Sequence, residues 1–208
     1  MDARLLDVAR AAKGFMPDDE GLALYRAALA AGRDTARPLL EVGTYCGKSA
    51  VYLGAAARAA STVLFTVDHH RGSEENQAGW EHHDNEVVDP RTGKMDTLPF
   101  FRRTIADAGL EDVVVGIVGY SIPVARVWNT QLGFLFIDGG HALDVAMADY
   151  RAWSPNLAPG GTLAIHDVFE RPEHGGQAPF EVWKRAVGDG FEPTETTGSL
   201  RTLRRVVG

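Results

Sequence analysis

The chain has 208 residues, 45% of them hydrophobic, with a formal net charge of −7 and one cysteine, which fits one domain with a full core. The acidic balance argues against a nucleic-acid-binding surface, and the lone Cys46 excludes an intrachain disulfide. Neither a signal peptide nor an apolar run of membrane-spanning length (~20 residues) is visible. We therefore expect a soluble, cytoplasmic protein that binds neither nucleic acid nor membrane.

Residues 1–36 predict two helices. The first includes Leu5 and Ala9, and the second begins after Pro17, where an acidic run suits the start of a helix, and ends near Gly32. These N-terminal helices could pair two subunits into a homodimer.

Residues 37–168 alternate between short apolar runs and helical patterns. The predicted strands are 38–42, 62–67, 113–118, 134–137 and 161–165. The predicted helices are 48–59, 98–108, 122–127 and 144–154. This alternation is typical of an α/β fold with a doubly wound, mostly parallel, Rossmann-like sheet and helices on both faces. Residues 169–208 add a helix at 180–187 and an antiparallel hairpin, 191–196 with 200–207, within a single domain of residues 1–208.

The segment 69–97 interrupts this alternation because it is long and polar. It contains two pairs of adjacent histidines, His69 with His70 and His82 with His83. A loop of this length in a compact domain is usually functional or disordered, and we favour a lid or substrate loop, with disorder as the alternative. Adjacent histidines in an extended chain point apart, so we expect a solvated loop rather than a metal site, with His69 facing the functional site.

A glycine-containing turn follows the first strand, in the stretch Glu41-Val42-Gly43-Thr44-Tyr45-Cys46-Gly47-Lys48-Ser49. Glycines between a strand and a helix let a ligand approach backbone N–H groups. The spacing fits neither the dinucleotide fingerprint nor the phosphate loop, which needs one more residue. Glu41 would repel a pyrophosphate but suits a ligand with a positive charge.

Polar motifs follow each of the other predicted strands in order. They are Asp68, Gly119-Tyr120-Ser121, Asp138-Gly139-Gly140-His141 and His166-Asp167. Together with the glycine turn, this set resembles the class I S-adenosylmethionine-dependent methyltransferases. The last two motifs resemble the subgroup of catechol-type, caffeoyl-CoA-type and macrolide-sugar O-methyltransferases.

The resemblance implies S-adenosylmethionine as cofactor, bound beyond the carboxyl ends of the strands where the strand order reverses. Glu41 would bind its amino group, Gly43 and Gly47 its methionine portion, and Asp68 both ribose hydroxyls. Ser121 matches the serine of the adenine loop. The candidate cofactor-binding residues are Glu41, Gly43, Gly47, Ser49, Asp68, His69, Gly119, Tyr120, Ser121 and Asp138.

The resemblance also implies a divalent metal site. In the metal-dependent relatives, an Asp after the fourth strand joins an acidic or amide pair after the fifth, which gives Asp138, His166 and Asp167 here. Because a histidine replaces one oxygen ligand, Mg²⁺ is less favoured and Mn²⁺ or Zn²⁺ is tolerated. The alternative is that no metal binds and that His166 is a polar wall or a base.

His141 occupies the position that resembles the lysine base of catechol-type enzymes. An imidazole there could accept a proton near neutral pH. Its alternative role is to cap the next helix. The candidate catalytic residues are Asp138, His141 and His166.

The main hypothesis is O-methylation of a small-molecule hydroxyl by S-adenosylmethionine, with a divalent metal as a further candidate cofactor. The alternatives are a non-catalytic S-adenosylmethionine-binding protein and a metal-dependent hydroxylase-like or hydrolytic enzyme on the same fold. A nicotinamide dehydrogenase ranks lower because the turn lacks the required glycine spacing.

Overall fold

The computed structural model describes residues 1–73, 84–140 and 142–206. Its helices are α1 (Ala3–Ala11), α2 (Asp18–Thr35), α3 (Lys48–Ala59), α4 (Leu98–Ala108), α5 (Ser121–Ala125), α6 (Leu143–Trp153) and α7 (Ala178–Gly188). Its strands are β1 (Leu39–Val42), β2 (Leu64–Asp68), β3 (Val88–Asp89), β4 (Lys94–Met95), β5 (Val114–Val118), β6 (Leu132–Ile137), β7 (Leu157–Ile165), β8 (Phe191–Thr197) and β9 (Leu200–Arg205). Within these ranges, none of the helices combines the length and the apolar character that a membrane crossing requires.

The main sheet has seven strands in the order β5-β2-β1-β6-β7-β9-β8. The first five strands in this order pair in parallel, and β9 and β8 add an antiparallel edge. This arrangement confirms the predicted mostly parallel sheet and its C-terminal hairpin. The strand order reverses between β1 and β6, and ligands of open α/β sheets bind beyond the carboxyl ends of the strands at such a point.

Helices cover both faces of the sheet, as predicted. One face packs under α1 to α4, and the other packs under α5, α6 and α7. Strand β6 contributes to both layers, since Phe134 and Phe136 join the first cluster while Leu135 and Ile137 join the second. This alternation follows from the two-residue period of a strand, and it explains why β6 is apolar throughout.

Strand β7 begins four residues before the predicted start at 161. The sequence Pro159-Gly160-Gly161 reads as a turn, but the pairing of β6 with β7 contains an irregularity that accommodates it. Leu157 pairs with Leu132 on one side of the irregularity, and Thr162 pairs with Phe134 on the other.

The segment 69–97 is more structured at its ends than the sequence predicts. Residues 84–97 contain a single 3₁₀ turn and the small β3–β4 ladder, and Val87 and Met95 pack on the buried Cys46. His70 is buried rather than solvated, which corrects the prediction. Its Nδ1 lies 2.8 Å from Thr97 Oγ1, and its carbonyl accepts from the Thr97 N–H, so this pair closes the base of the segment. His82 and His83 lie outside the described residues.

Candidate functional site

Glu41 lies in the central strand β1, immediately before the glycine turn. Its side chain is fully buried, and neither carboxyl oxygen has a hydrogen-bond partner among the residues that the structure describes. Burial raises the pKa of Glu41 to about 8, and the negative charges of Asp138 and Asp68 add to the rise, while the nearby hydroxyls of Ser49 and Thr44 oppose it. An unsatisfied buried carboxyl is costly, so it marks a place where a ligand can supply the missing partner.

The glycine turn packs directly against the end of β6. Gly43 has φ +85°, and a Cβ there would collide with the main-chain oxygen of Asp138. Gly47 has φ +92° and immediately precedes α3, where Ser49 is buried. Gly43 therefore allows the carboxyl ends of β1 and β6 to approach closely, whereas a Cβ at Gly47 would meet Phe101 and Thr104 of α4.

Asp68 fastens the glycine turn to the end of β2. Its Oδ2 accepts hydrogen bonds from the N–H groups of Thr44 and Tyr45, both at 2.9 Å, and its Oδ1 accepts from the N–H of His70 at 2.7 Å. A carboxylate offers about four lone-pair positions, so roughly one remains for a ligand. The sequence assigns two ribose hydroxyls to Asp68, whereas this geometry has room for one without rearrangement.

The next strand ends bring His69 and Tyr120 together. Their ring centroids are 4.7 Å apart, and Tyr120, beside Gly119, is exposed. Ser121 is engaged within the fold, because its Oγ accepts a hydrogen bond from Trp153 Nε1 at 2.7 Å. Burial raises the pKa of Asp149, and a hydrogen bond with Ser121 offsets part of that rise. Ser121 thus connects the end of β5 to α6.

Asp138, His166 and Asp167 converge at the carboxyl ends of β6 and β7. His166 Nδ1 lies 3.1 Å from Asp138 Oδ1 and 3.5 Å from Asp167 Oδ2, and the three residues offer ligand atoms within 4.8 Å of one another. Asp167 has φ +54°, a backbone conformation that is unusual for a residue with a side chain and that recurs at functional sites.

A fourth residue, Glu20, completes this cluster and was not predicted from the sequence. It extends from α2, and its Oε2 lies 2.5 Å from His166 Nε2 in a buried environment. The sequence around Glu20 did indicate that this residue is buried. Glu20, Leu24 and Ala28 share the same face of a helix, and the two apolar residues are fully buried. A carboxyl group on a buried stripe requires a partner, and His166 supplies it.

The charges around His166 set its protonation. Burial alone would lower the pKa of His166, but the charge of Asp138 and hydrogen bonds with Asp138, Asp167 and Glu20 outweigh it and raise the pKa to about 12. An imidazolium with this pKa keeps its proton at neutral pH and is therefore a poor general base there. The geometry therefore does not favour the role of His166 as a base.

The cluster fits a divalent cation by its donor set. Two donors that each lie about 2.1 Å from one ion, in octahedral or tetrahedral geometry, are about 3.0 to 3.4 Å apart. The separations from His166 Nδ1 to the two aspartates are close to these values.

His141, the predicted base, lies outside the described residues.

Comparisons with known proteins agree with this geometry. A family model described as "Methyltransferase domain" matches residues 40–168, which contain the strand ends from Glu41 to Asp167. Among solved structures, the O-methyltransferase TomG from Streptomyces achromogenes, in complex with SAM, has a TM-score of 0.64 and 18% identity, and the match covers 100% of this chain and 91% of that one. An O-methyltransferase from Bacillus cereus in complex with SAH has a TM-score of 0.63 and 17% identity, with 98% and 91% covered.

The O-methyltransferase NovP has a TM-score of 0.68 and 15% identity, with 91% of this chain and 81% of that chain covered. At these identities the likeness to solved structures shows a shared fold. The family match spans more than half of the chain and includes the glycine turn and the Asp-His-Asp cluster. The chain therefore belongs to the methyltransferase-domain family.

Proposed function

We propose that this methyltransferase transfers the methyl group of S-adenosylmethionine to a hydroxyl group of a small molecule. The observation that carries the proposal is the buried carboxyl group of Glu41 beside the glycine turn, which has no hydrogen-bond partner among the described residues and lies at the point where the strand order reverses. The cofactor has an amino group whose positive charge complements this carboxyl, directly or through a water molecule. TomG and the Bacillus cereus protein, described as complexes with SAM and SAH, have the same fold.

The remaining cofactor contacts follow from the strand ends. Asp68 can accept a bond from a ribose hydroxyl, because about one of its acceptor positions is left over from the bonds that hold the turn. Gly119, Tyr120 and Ser121 border the region beyond β5, where His69 and the exposed ring of Tyr120 present an aromatic surface to the adenine. These contacts would hold the sulfonium near the end of β1.

The acceptor hydroxyl would lie beyond the ends of β6 and β7. Methyl transfer needs the acceptor oxygen aligned with the methyl carbon, and positioning supplies much of the acceleration. Asp138, His166 and Asp167 would hold a divalent cation there, which when bound lowers the pKa of the acceptor hydroxyl and orients it.

We propose His141 as the general base that receives the hydroxyl proton. It follows Asp138 by three residues in the sequence, at the position that resembles the lysine base of catechol-type enzymes. Replacing His141 with Ala should lower kcat by about 10²- to 10⁴-fold and leave cofactor affinity within about twofold, since general acid–base catalysis contributes that much. Single-turnover kinetics together with a cofactor titration measure both quantities, and an unchanged kcat contradicts the role.

The experiment that tests the proposal has two stages. Calorimetric titration with S-adenosylmethionine and S-adenosylhomocysteine should show one site per chain, and Glu41→Gln should weaken it. Catechols, flavonoids and deoxysugars with free hydroxyls are then supplied with labelled cofactor and a divalent metal. Absence of cofactor binding overturns the proposal. Binding without methylated product across the acceptors favours the non-catalytic alternative.

A further inference from the structure

Glu20 connects three parts of the chain that are distant in sequence. It belongs to α2, its partner His166 follows β7, and its second partner Ser199 lies in the turn between β8 and β9. The Ser199 N–H donates to Glu20 Oε1 at 2.6 Å, and the Ser199 hydroxyl donates to Oε2 at 3.2 Å. Both oxygens of a buried carboxylate are therefore satisfied.

The hairpin turn is shaped around this carboxylate. Gly198 has φ +53°, and a Cβ at this position would collide with Glu20 Oε1. Only glycine can adopt this conformation here while leaving room for the carboxylate. The turn thus serves to hold Glu20 as well as to reverse the chain.

The hydrogen bond to Glu20 decides which nitrogen of His166 faces the site. A carboxylate can only accept, so Nε2 must carry a proton, and it donates that proton to Glu20 Oε2. The other nitrogen, Nδ1, is directed toward Asp138 and Asp167, and in the metal-free protein it donates a proton to Asp138 that a bound cation would displace. Histidines that bind metals usually donate their second N–H to a carboxylate or carbonyl in this way, which fixes the ring and its tautomer.

We propose that Glu20 is a positioning residue that presents His166 Nδ1, between Asp138 and Asp167, as a nitrogen ligand for a divalent cation of the Mn²⁺, Co²⁺ or Zn²⁺ type in preference to Mg²⁺. The inference rests on the proposed function, since it concerns the cation of the same site. An imidazole nitrogen suits these ions, whereas Mg²⁺ prefers an all-oxygen environment. The preference follows from the donor set that Glu20 holds in place.

Calorimetric titration of the full chain with MnCl₂, CoCl₂ and MgCl₂ tests the proposal. The wild type should bind Mn²⁺ and Co²⁺ at least roughly tenfold more tightly than Mg²⁺. Glu20→Gln should weaken Mn²⁺ and Co²⁺ binding by about 10- to 100-fold, the usual effect of removing such a partner. Asp19→Asn is the matched control, because it removes an exposed carboxylate from the neighbouring position of α2, and it should leave both affinities within about twofold.

A second measurement needs no variant. In ¹⁵N-labelled, Zn²⁺-loaded wild type, long-range ¹⁵N–¹H correlation spectra should show His166 with its proton on Nε2 and a metal-shifted Nδ1. This readout keeps the proposal testable if Glu20→Gln does not fold.

Each outcome decides the proposal separately from methyl transfer. Tighter Mg²⁺ than Mn²⁺ binding, equal effects of Glu20→Gln and Asp19→Asn, or a proton retained on Nδ1 in the loaded protein overturns the inference. A wild type that binds none of the three metals also overturns it. The cofactor titration and product assay test the proposed function independently of all these results.

Discussion

Two buried glutamates near the carboxyl ends of the strands, Glu41 and Glu20, have opposite surroundings. Glu41, beneath the glycine turn, has no hydrogen-bond partner within the described part of the chain, and burial raises its pKa to about 8. Glu20, beside the cluster of Asp138, His166 and Asp167, is also desolvated by burial, but hydrogen bonds with His166 and Ser199 outweigh that effect and lower its pKa. In the described residues the Glu41 carboxyl group has no cationic partner, whereas Glu20 has one in His166.

This difference indicates what each glutamate requires in order to be stable in a buried position. A carboxyl group that is buried without a partner is stabilised only when a ligand brings positive charge, so it favours binding of a cationic cofactor. A buried ion pair is complete without a ligand, and breaking it leaves an uncompensated charge. The comparison predicts that substitution of Glu41 changes mainly cofactor affinity, whereas breaking the pair of Glu20 and His166 lowers the stability of the fold.

The largest effect should come from removing the partner of Glu20. His166→Ala leaves the Glu20 carboxylate buried with only Ser199 as a partner, and we expect the free energy of unfolding to fall by about 3 to 5 kcal/mol. Urea unfolding at pH 7 measures it. Glu41→Gln is the contrasting variant, because it strands no charged partner and should not lower the unfolding free energy. Equal losses in both variants would contradict the distinction.

The next effect concerns cofactor affinity at the Glu41 end. Glu41→Gln removes the charge that faces the amino group, so S-adenosylmethionine affinity at pH 8 should fall about 10- to 100-fold, as expected for the loss of a charged hydrogen bond. Isothermal titration calorimetry measures this loss. The control is Asp19→Ala, which changes an exposed residue of α2 and should bind the cofactor as the wild type does.

The pH dependence sharpens the same contrast. Because the pKa of Glu41 is about 8 in the free protein, the carboxyl group is protonated at pH 6, and binding of an ammonium group must remove that proton. Affinity should therefore rise by roughly tenfold per pH unit from pH 6 and level off near pH 8. Glu41→Gln should abolish the rise.

The raised pKa also means that Glu41 destabilises the fold progressively as pH increases from 4.5 to about 8.

The smallest effect should come from the edge of the Glu20 cluster. Ser199→Ala removes the hydroxyl that donates to Glu20 at 3.2 Å but keeps the backbone N–H bond at 2.6 Å. The unfolding free energy should fall by about 1 kcal/mol, a typical value for one hydrogen bond. A loss as large as that of His166→Ala would contradict the imidazole as the main partner of Glu20, because the hydroxyl would then matter as much.

Local patterns predicted the fold well. Helices α3 and α4 have the bounds that the sequence predicts, because Gly47 precedes one and Gly109, with φ +62°, ends the other. The glycine turn and the polar residues at the strand ends are equally local, since each follows an apolar strand directly. These features depend on residues that are close in sequence, so a single sequence is sufficient to find them.

The features that were missed depend on contacts across long sequence separations. His70 was expected in solvent, but Thr97 and Phe101 cover it from the far end of the segment. Glu20 was interpreted as part of the acidic start of a helix, because its partner His166 is 146 positions away. A polar residue on an apolar stripe signals that a partner exists, but only the tertiary fold identifies it.

The contact of Glu20 with Ser199 has a consequence for biosynthesis. It joins an early helix to the last hairpin, residues that are separated by 179 positions. Because a ribosome delivers the chain from its N-terminus, α1 to α4 can form while Glu20 still faces water, and the surroundings of Glu20 are completed only after β9 has emerged. The glycine turn meets the end of β6 at Asp138, which emerges earlier, so its packing can be completed before that of Glu20.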